Sequence, residues 1–330
     1  MFKNKLPDNL LKGYVFLLIT TILWSAGGPV IKYTLSYIPP FTFLFLRFLI
    51  VCIILLPYTI YEVQKVKVDP RDYLNLFLLG VFSQSAIALI FVALKYTTVI
   101  DDATIGVLGS ILSVAAGSYF YNEKISKNLK IGLVLSSIGT LIIVIEPLFT
   151  GLGKTEITGR IFGNILLLLY NFFWVVFIVW SKMDMGEESK LLKKTLSFVH
   201  IKPMRKNYPP TLITAISMFV GLFTIAPLSV FEMTGTFGEI NNFNIMEIDP
   251  KGIFGLLYMA IFSSIVAYAL YQKAISMVRV SDLAFFHYLS PVFTIPFAYL
   301  LLKEIPTPLV IIGSVFIAIG IYIAEKNGSD

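Results

Sequence analysis

The sequence predicts an all-α membrane protein: ten transmembrane helices, in two inverted five-helix repeats around a central cavity. Three observations predict it. Apolar residues make up 57% of the 330-residue chain and charged residues only 14%, where a soluble domain carries about 25% charge. The apolar residues gather into ten runs of membrane-crossing length. The second half of the chain repeats landmarks of the first.

With mean hydropathy at +0.82, the charges are too few to cover a water-facing surface, whereas a lipid-facing surface needs none. A helix that crosses the hydrocarbon takes about 20 mostly apolar residues. Segments 13–32, 40–61, 72–94, 101–121, 129–147, 160–181, 210–231, 252–273, 282–302 and 307–325 meet that need. The first run follows Lys3, Lys5 and Lys12 as a signal-peptide core would, but it lacks a clear small-x-small cleavage site. It is expected to be retained.

Orientation follows from counting lysine and arginine over the loops. Nineteen lie on the side of the termini and of the gaps after the second, fourth, sixth and eighth spans. Only six, Lys32, Lys95, Lys154, Arg160, Lys251 and Lys303, lie on the other. The excess marks the cytoplasm, so both termini of this multi-pass cell-membrane protein are expected there.

The formal charge of +6 is spread through these short gaps and makes no basic face, which excludes nucleic acid as a partner. Cys52 is the only cysteine, so no intrachain disulfide or thiolate metal cluster forms. His200 and His287 alone give no metal set. No phosphate loop and no catalytic constellation occur. The expectation is therefore no enzyme, no ATP-driven pump, no metal and no cofactor.

The chain aligns with itself at three registers. At an offset of 150, Gly13, Trp24 and Lys32 fall on Gly163, Trp174 and Lys182. At 170, Pro39, Pro40, Pro57 and Glu62 fall on Pro209, Pro210, Pro227 and Glu232. At 181, Ser83, Asp101, Glu123, Gly132 and Gly139 fall on Ser264, Asp282, Glu304, Gly313 and Gly320. The division expected is 1–150 for the first repeat and 151–330 for the second, which carries a cytoplasmic loop, 183–208. Five spans per half is odd, so the second half enters the membrane inverted. Secondary transporters share that construction, because two such halves exchange conformations to alternate access.

These residues resemble the EamA-type branch of the drug/metabolite transporter superfamily. Trp24-Ser25-Ala26 through Ile31-Lys32 is similar to its first-helix signature, and Pro39-Pro40 before Arg47-Phe48 to its second-helix pair. Glu123, Gly132 and Gly139, then Pro291, Glu304, Gly313 and Gly320, resemble the ends of its two repeats. The resemblance implies a ten-helix basket and the movement of small metabolites such as amino acids, aromatic compounds or amines, with export the expected direction. Gly27-Gly28-Pro29 and the long segment 183–208 depart from the family pattern.

The candidate substrate site is a mid-depth cavity bounded by Trp24, Ser83, Gln84, Asn171, Trp174, Ser264, Tyr268, His287 and Tyr288. Polar groups at that depth need a partner, water or a ligand, and aromatic walls stack flat solutes or hold a cation. Serines also let helices pack closely, and Trp and Tyr also mark membrane interfaces. His287 reads either as a proton relay or substrate ligand, or as a hydrogen-bonded bundle histidine.

Gly27, Gly28 and Pro29 are candidates for a gate hinge in the first helix, since proline removes a backbone bond and glycine tolerates unusual dihedrals. Close packing is the other reading. Arg47, at depth in the second helix, reads as an anion contact or as a guanidinium holding helices together; the structural role is the expectation. Glu123 and Glu304, at helix ends, are expected to cap or join loops. Gly109, Ser113 and Gly117 form a small-residue ridge for close helix approach.

The function expected is a secondary transporter of a small organic solute, in contact with membrane lipid, with a proton as possible coupling ion and a monomer or homodimer as assembly. The alternative is a non-transporting receptor or scaffold that docks through 183–208, where Leu191, Leu192, Leu196 and Val199 suggest an interfacial helix.

Overall fold

The structure is a computed structural model that describes residues 8–121, 127–149, 154–184, 189–198, 200–235, 244, 248–275, 277 and 289–325. Among the described residues all regular elements are helical. They are α1 (Asp8–Thr34), α2 (Pro40–Val66), α3 (Tyr73–Gly80), α4 (Ile87–Tyr96), α5 (Val99–Phe120), α6 (Lys127–Ile145) and α7 (Lys154–Asp184). After these come α8 (Lys190–Phe198), α9 (Pro210–Met233), α10 (Pro250–Leu257), α11 (Ala267–Ile275), α12 (Ser290–Leu302) and α13 (Pro308–Glu325).

Seven stretches are long and apolar enough to cross a membrane: Leu11–Thr34, Pro40–Val66, Pro70–Tyr96, Lys130–Phe149, Thr155–Ser181, Thr211–Met233 and Pro250–Tyr271. Of the other three expected spans, one coincides with α5. The last two fall on the shorter apolar helices Ser290–Leu302 and Pro308–Ile323.

Prolines and acids set where helices begin. Pro40 and Pro210 both stand in the first turn, where a missing N–H costs nothing. The residues before them, Pro39 and Pro209, share one backbone conformation, φ −59° and −60°. Glu232, at the end of α9, caps α2: its carboxylate accepts from Phe41 N at 3.2 Å, Thr42 N at 2.7 Å and the Thr42 hydroxyl at 2.9 Å. Glu304 does the same for α5, accepting from Val99 N at 2.9 Å.

α6 and α13 pack through glycines, and the contact is reciprocal. A methyl group on Gly139 would lie 2.5 Å from the Gly313 carbonyl oxygen, and one on Gly313 would lie 2.7 Å from that of Gly139. A methyl on Gly320 would lie 2.7 Å from the Gly132 carbonyl oxygen. Gly132 and Gly313 are repeat mates, as are Gly139 and Gly320, so each glycine meets the mate of the other. A two-fold relation between helices has this signature.

The third and eighth spans both interrupt their α-helix with a π segment. Val81–Ser85 joins α3 to α4, and Tyr258–Val266 joins α10 to α11. At the offset of 181 the first maps onto 262–266, the end of the second. Wide turns of this kind free carbonyls and gather at functional sites. The Ser264 hydroxyl accordingly donates five residues back, to Met259 O at 2.8 Å.

α1 differs from the expected break at Gly27-Gly28-Pro29: it is one continuous helix with Pro29 inside it. Pro29 has no N–H to give Ser25 O, its partner four residues back. Thr294 of α12 takes that carbonyl instead, its hydroxyl donating at 3.2 Å. A threonine from a neighbouring helix thus re-satisfies the backbone, the usual remedy where lipid offers no donor.

The described residues of segment 183–208 pack against the rest of the protein. Ser189 caps α8, accepting from Leu192 N at 3.1 Å while donating to Phe120 O at 2.6 Å. Leu192 and Leu196 are buried in a cluster with Leu76, Trp180 and Leu212. Further along, the Tyr208 hydroxyl donates to Asp72 Oδ2 at 2.7 Å and Arg205 N to Asp72 Oδ1 at 3.0 Å.

Candidate functional site

The second π segment, through Met259 and Ser263, borders a cavity of about 240 Å³ lined by residues of both halves. Its wall takes Trp24, Gly27 and Gly28 from α1, Arg47 from α2, and Ile87 and Ile90 from α4. α5 adds Asp102 and Gly106, α7 adds Tyr170, Asn171 and Trp174, and the second half closes it with Met259, Ser263, Tyr268 and Thr294.

The aromatic part is fixed by hydrogen bonds and ring contacts. Trp24 Nε1 donates to Ser263 O at 3.0 Å, a carbonyl loosened by its π segment. Its ring meets Tyr268 edge-on with centroids 5.3 Å apart. Tyr170 stacks on Trp174 at 6.2 Å. Asn171 donates to Leu167 O at 2.8 Å and fills the space that Gly109 leaves open, where a methyl group would overlap its amide.

Of the residues expected at the site, Trp24, Asn171, Trp174 and Tyr268 border this cavity, and so do Gly27 and Gly28. Ser83, Gln84 and Ser264 do not border the cavity. Ser83 donates to Leu79 O within its own helix at 2.8 Å. Gln84 is buried behind Tyr268, donating to its hydroxyl at 3.4 Å. Ser264 accepts from Arg47 Nε at 2.8 Å, a bond between α2 and the eighth span. His287, Tyr288 and Glu123 lie outside the described residues.

Arg47 is 3% exposed. Besides its bond to Ser264, its guanidinium lies 5.7 Å from the Phe48 ring centre and 6.0 Å from that of Phe91. Its terminal nitrogens bond no described residue, and the side chain borders the cavity. Asp102 is the residue that sequence reasoning missed. In the first turn of α5 beside Asp101 it reads as an ordinary helix-terminus acid. One signal was available: the repeat mate of Asp101 is Asp282, whereas that of Asp102 is Leu283.

Charged groups gather around a second, smaller pocket lined by Asp101, Arg160, Glu304 and Thr307. Lys32 Nζ pairs with Glu304 at 2.8 Å and donates to Thr97 O at 2.6 Å. Arg160 pairs with Asp101 at 2.8 Å and Glu146 at 2.9 Å, and Thr307 donates to Glu146 at 2.7 Å. Asp101 and Glu146 have no exposure at all, so these pairs are strongly coupled to the packing around them.

The EamA-like transporter family matches residues 11–145 and 195–325. The chain belongs to that family. Several relatives match it over nearly its full length. An uncharacterized transporter of Archaeoglobus fulgidus is 27% identical over 96% of this chain and 98% of its own. The uncharacterized transporter YyaM of Bacillus subtilis is 23% identical over 94% and 93%. A protein of Salmonella typhimurium described as a probable amino-acid metabolite efflux pump is also 23% identical, over 94% and 93%. A solved crystal structure shares the fold with TM-score 0.55 at 16% identity, covering 97% of this chain and 98% of that one. This EamA chain is therefore a multi-pass membrane transporter of two-repeat architecture.

Proposed function

We propose that the chain is a secondary transporter that moves a small organic metabolite out of the cell by alternating access. In this reading it has ten spans in two inverted halves, 1–150 and 151–330. The observation that carries it is the set of ion pairs around the second pocket, because each joins opposite halves. Lys32 of the first half holds Glu304 of the second, and Arg160 of the second holds Asp101 and Glu146 of the first. Pairs placed so can part and re-form as the halves rock, which is what a gate requires. On the orientation expected from the basic residues, this gate faces outward and is shut.

Cavity size supports a metabolite. About 240 Å³ lies a little below the ~300–1,000 Å³ of pockets for drug-sized ligands. The efflux-pump description of relatives supports export. The alternative of a scaffold docking through 183–208 loses support from α8, whose Leu192 and Leu196 are spent on the protein itself.

Purified chain in liposomes loaded with amino acids, nucleosides or amines tests the reading by counterflow, with and without a pH gradient. At least one labelled solute should accumulate against its unlabelled counterpart. Folded protein that exchanges none of them would contradict it.

A further inference from the structure

We propose that α8 is a binding site for anionic phospholipid, in which Leu191 and Phe198 enter the edge of the bilayer while Lys190 and Lys194 hold phosphate headgroups. The site depends on the membrane-spanning fold and on no step of transport.

The fold sets α8 at the level of the headgroups. Its Leu192 and Leu196 are buried with Leu76 of α3, Trp180 of α7 and Leu212 of α9. Ser189, just before it, donates to the carbonyl of Phe120, the last residue of α5, at 2.6 Å. These contacts lie at or near the ends of the apolar stretches Pro70–Tyr96, Thr155–Ser181 and Thr211–Met233. At the end of a span, hydrocarbon gives way to the polar region of the bilayer.

With Leu192 and Leu196 turned to the protein, α8 still carries a second apolar stripe. Leu191 is 37% exposed and Phe198 84% exposed. They stand about two helical turns apart and so share one line along the helix. Lys190 and Lys194 are exposed as well, and helical geometry puts them beside that line, on the side away from Leu192 and Leu196. An exposed apolar edge next to a basic one is the pattern of a helix lying in a membrane interface.

Charge identifies the partner. Asp184, Glu187 and Glu188 all precede α8, and no acid occurs from Ser189 to Phe231. Six lysines and arginines fall within 190–206. The fold adds to that charge, since Lys206 Nζ donates to Lys67 O at 3.0 Å and brings two lysines together. At the other end of α7 the pattern is reversed, for Arg160 holds the carboxylates of Asp101 and Glu146. Each lysine near an anionic bilayer surface strengthens binding about fivefold. A soluble anion would answer the lysines and leave Leu191 and Phe198 in water. Phospholipid answers both.

The test reads hydrogen exchange of the α8 amides in full-length protein held in phosphatidylcholine nanodiscs, with or without about one-third phosphatidylglycerol. Phosphatidylglycerol should slow exchange by more than about tenfold, the scale of two lysines meeting an anionic surface. Lys190→Gln with Lys194→Gln should abolish that difference, and Phe198→Ser should shrink it. Lys127→Gln with Lys130→Gln, at exposed lysines in the first turn of α6, should leave it intact. Equally fast exchange in both discs would mean a solvated face, and equally slow exchange a face covered by protein; either overturns the proposal. So does protection that survives loss of Lys190 and Lys194, or that falls as far in the α6 variant. Inositol hexakisphosphate added to the neutral discs should protect nothing. Protection by it would assign the lysines to a soluble anion and overturn the lipid site. Should the α8 double variant not fold, Phe198→Ser decides, and a difference that it leaves unchanged overturns the site.

Discussion

Gly139 of α6 and Gly313 of α13 face each other so closely that each would place a methyl group within 2.7 Å of the other's carbonyl oxygen. The obstacle is backbone on both sides, which cannot turn aside as a side chain can. Gly139→Ala and Gly313→Ala should each destabilise the protein by about 1–3 kcal/mol, the usual scale of overpacking. Thermal unfolding in detergent measures it. Gly139→Leu should fail to give monodisperse protein.

Gly106 offers the opposite case, for it borders the cavity and a methyl group there would meet nothing within 4 Å. Gly106→Leu should fold with unchanged thermal stability and occupy the space meant for solute. Counterflow of any transported solute should fall by more than about tenfold, as expected when a preformed pocket is filled. Normal transport by this variant would move the site elsewhere.

The proposed gate can be locked. Lys32 and Glu304 meet at 2.8 Å through the tips of long side chains, so in the double variant Lys32→Cys, Glu304→Cys on a Cys52→Ser background a bis-methanethiosulfonate reagent should span the space those side chains fill. Transport should stop on cross-linking and return with reductant. Transport that continues through the cross-link would mean these residues do not part during the cycle.

The loop that docks on Asp72 gives a test by pH. Burial, with Asp72 beside it, pushes the Tyr208 phenol up to about 12. A raised value means the neutral phenol is favoured in the folded loop. Its contribution is intact below the ordinary tyrosine value of ~10 and is lost as pH rises through about 12. Tyr208→Phe should loosen the segment at neutral pH by about 1–3 kcal/mol, leaving a buried carboxylate oxygen without its donor. Faster tryptic cleavage after Arg205 or Lys206 reports the loosening.

Much of this was legible in the sequence because hydropathy and repetition are extended signals. Runs of twenty residues located the helices, and matched Pro, Glu and Gly marked the halves, down to the glycines of α6 and α13. Side-chain direction was not legible. Ser83 and Gln84 were expected at the cavity, yet both lie in a π segment where Ser83 bonds back to its own helix and Gln84 is buried behind Tyr268. Asp102 was hidden by its neighbour, since an acid pair at a helix start is satisfied by the helix end alone. The continuity of α1 depends on Thr294, and no local pattern around Pro29 announces a donor that comes from a helix some 265 residues further on.

That borrowed donor makes the middle of α1 only as dry as α12 is near. Ser25 O has no helical partner to return to, because proline removed it. If the proposed alternating access draws α12 away from α1, the carbonyl turns from a structural tie into a bare acceptor on the cavity wall, and water must enter to meet it. In that cycle the parting of these two helices and the wetting of the cavity are one event, and hydration meters how far the protein has opened.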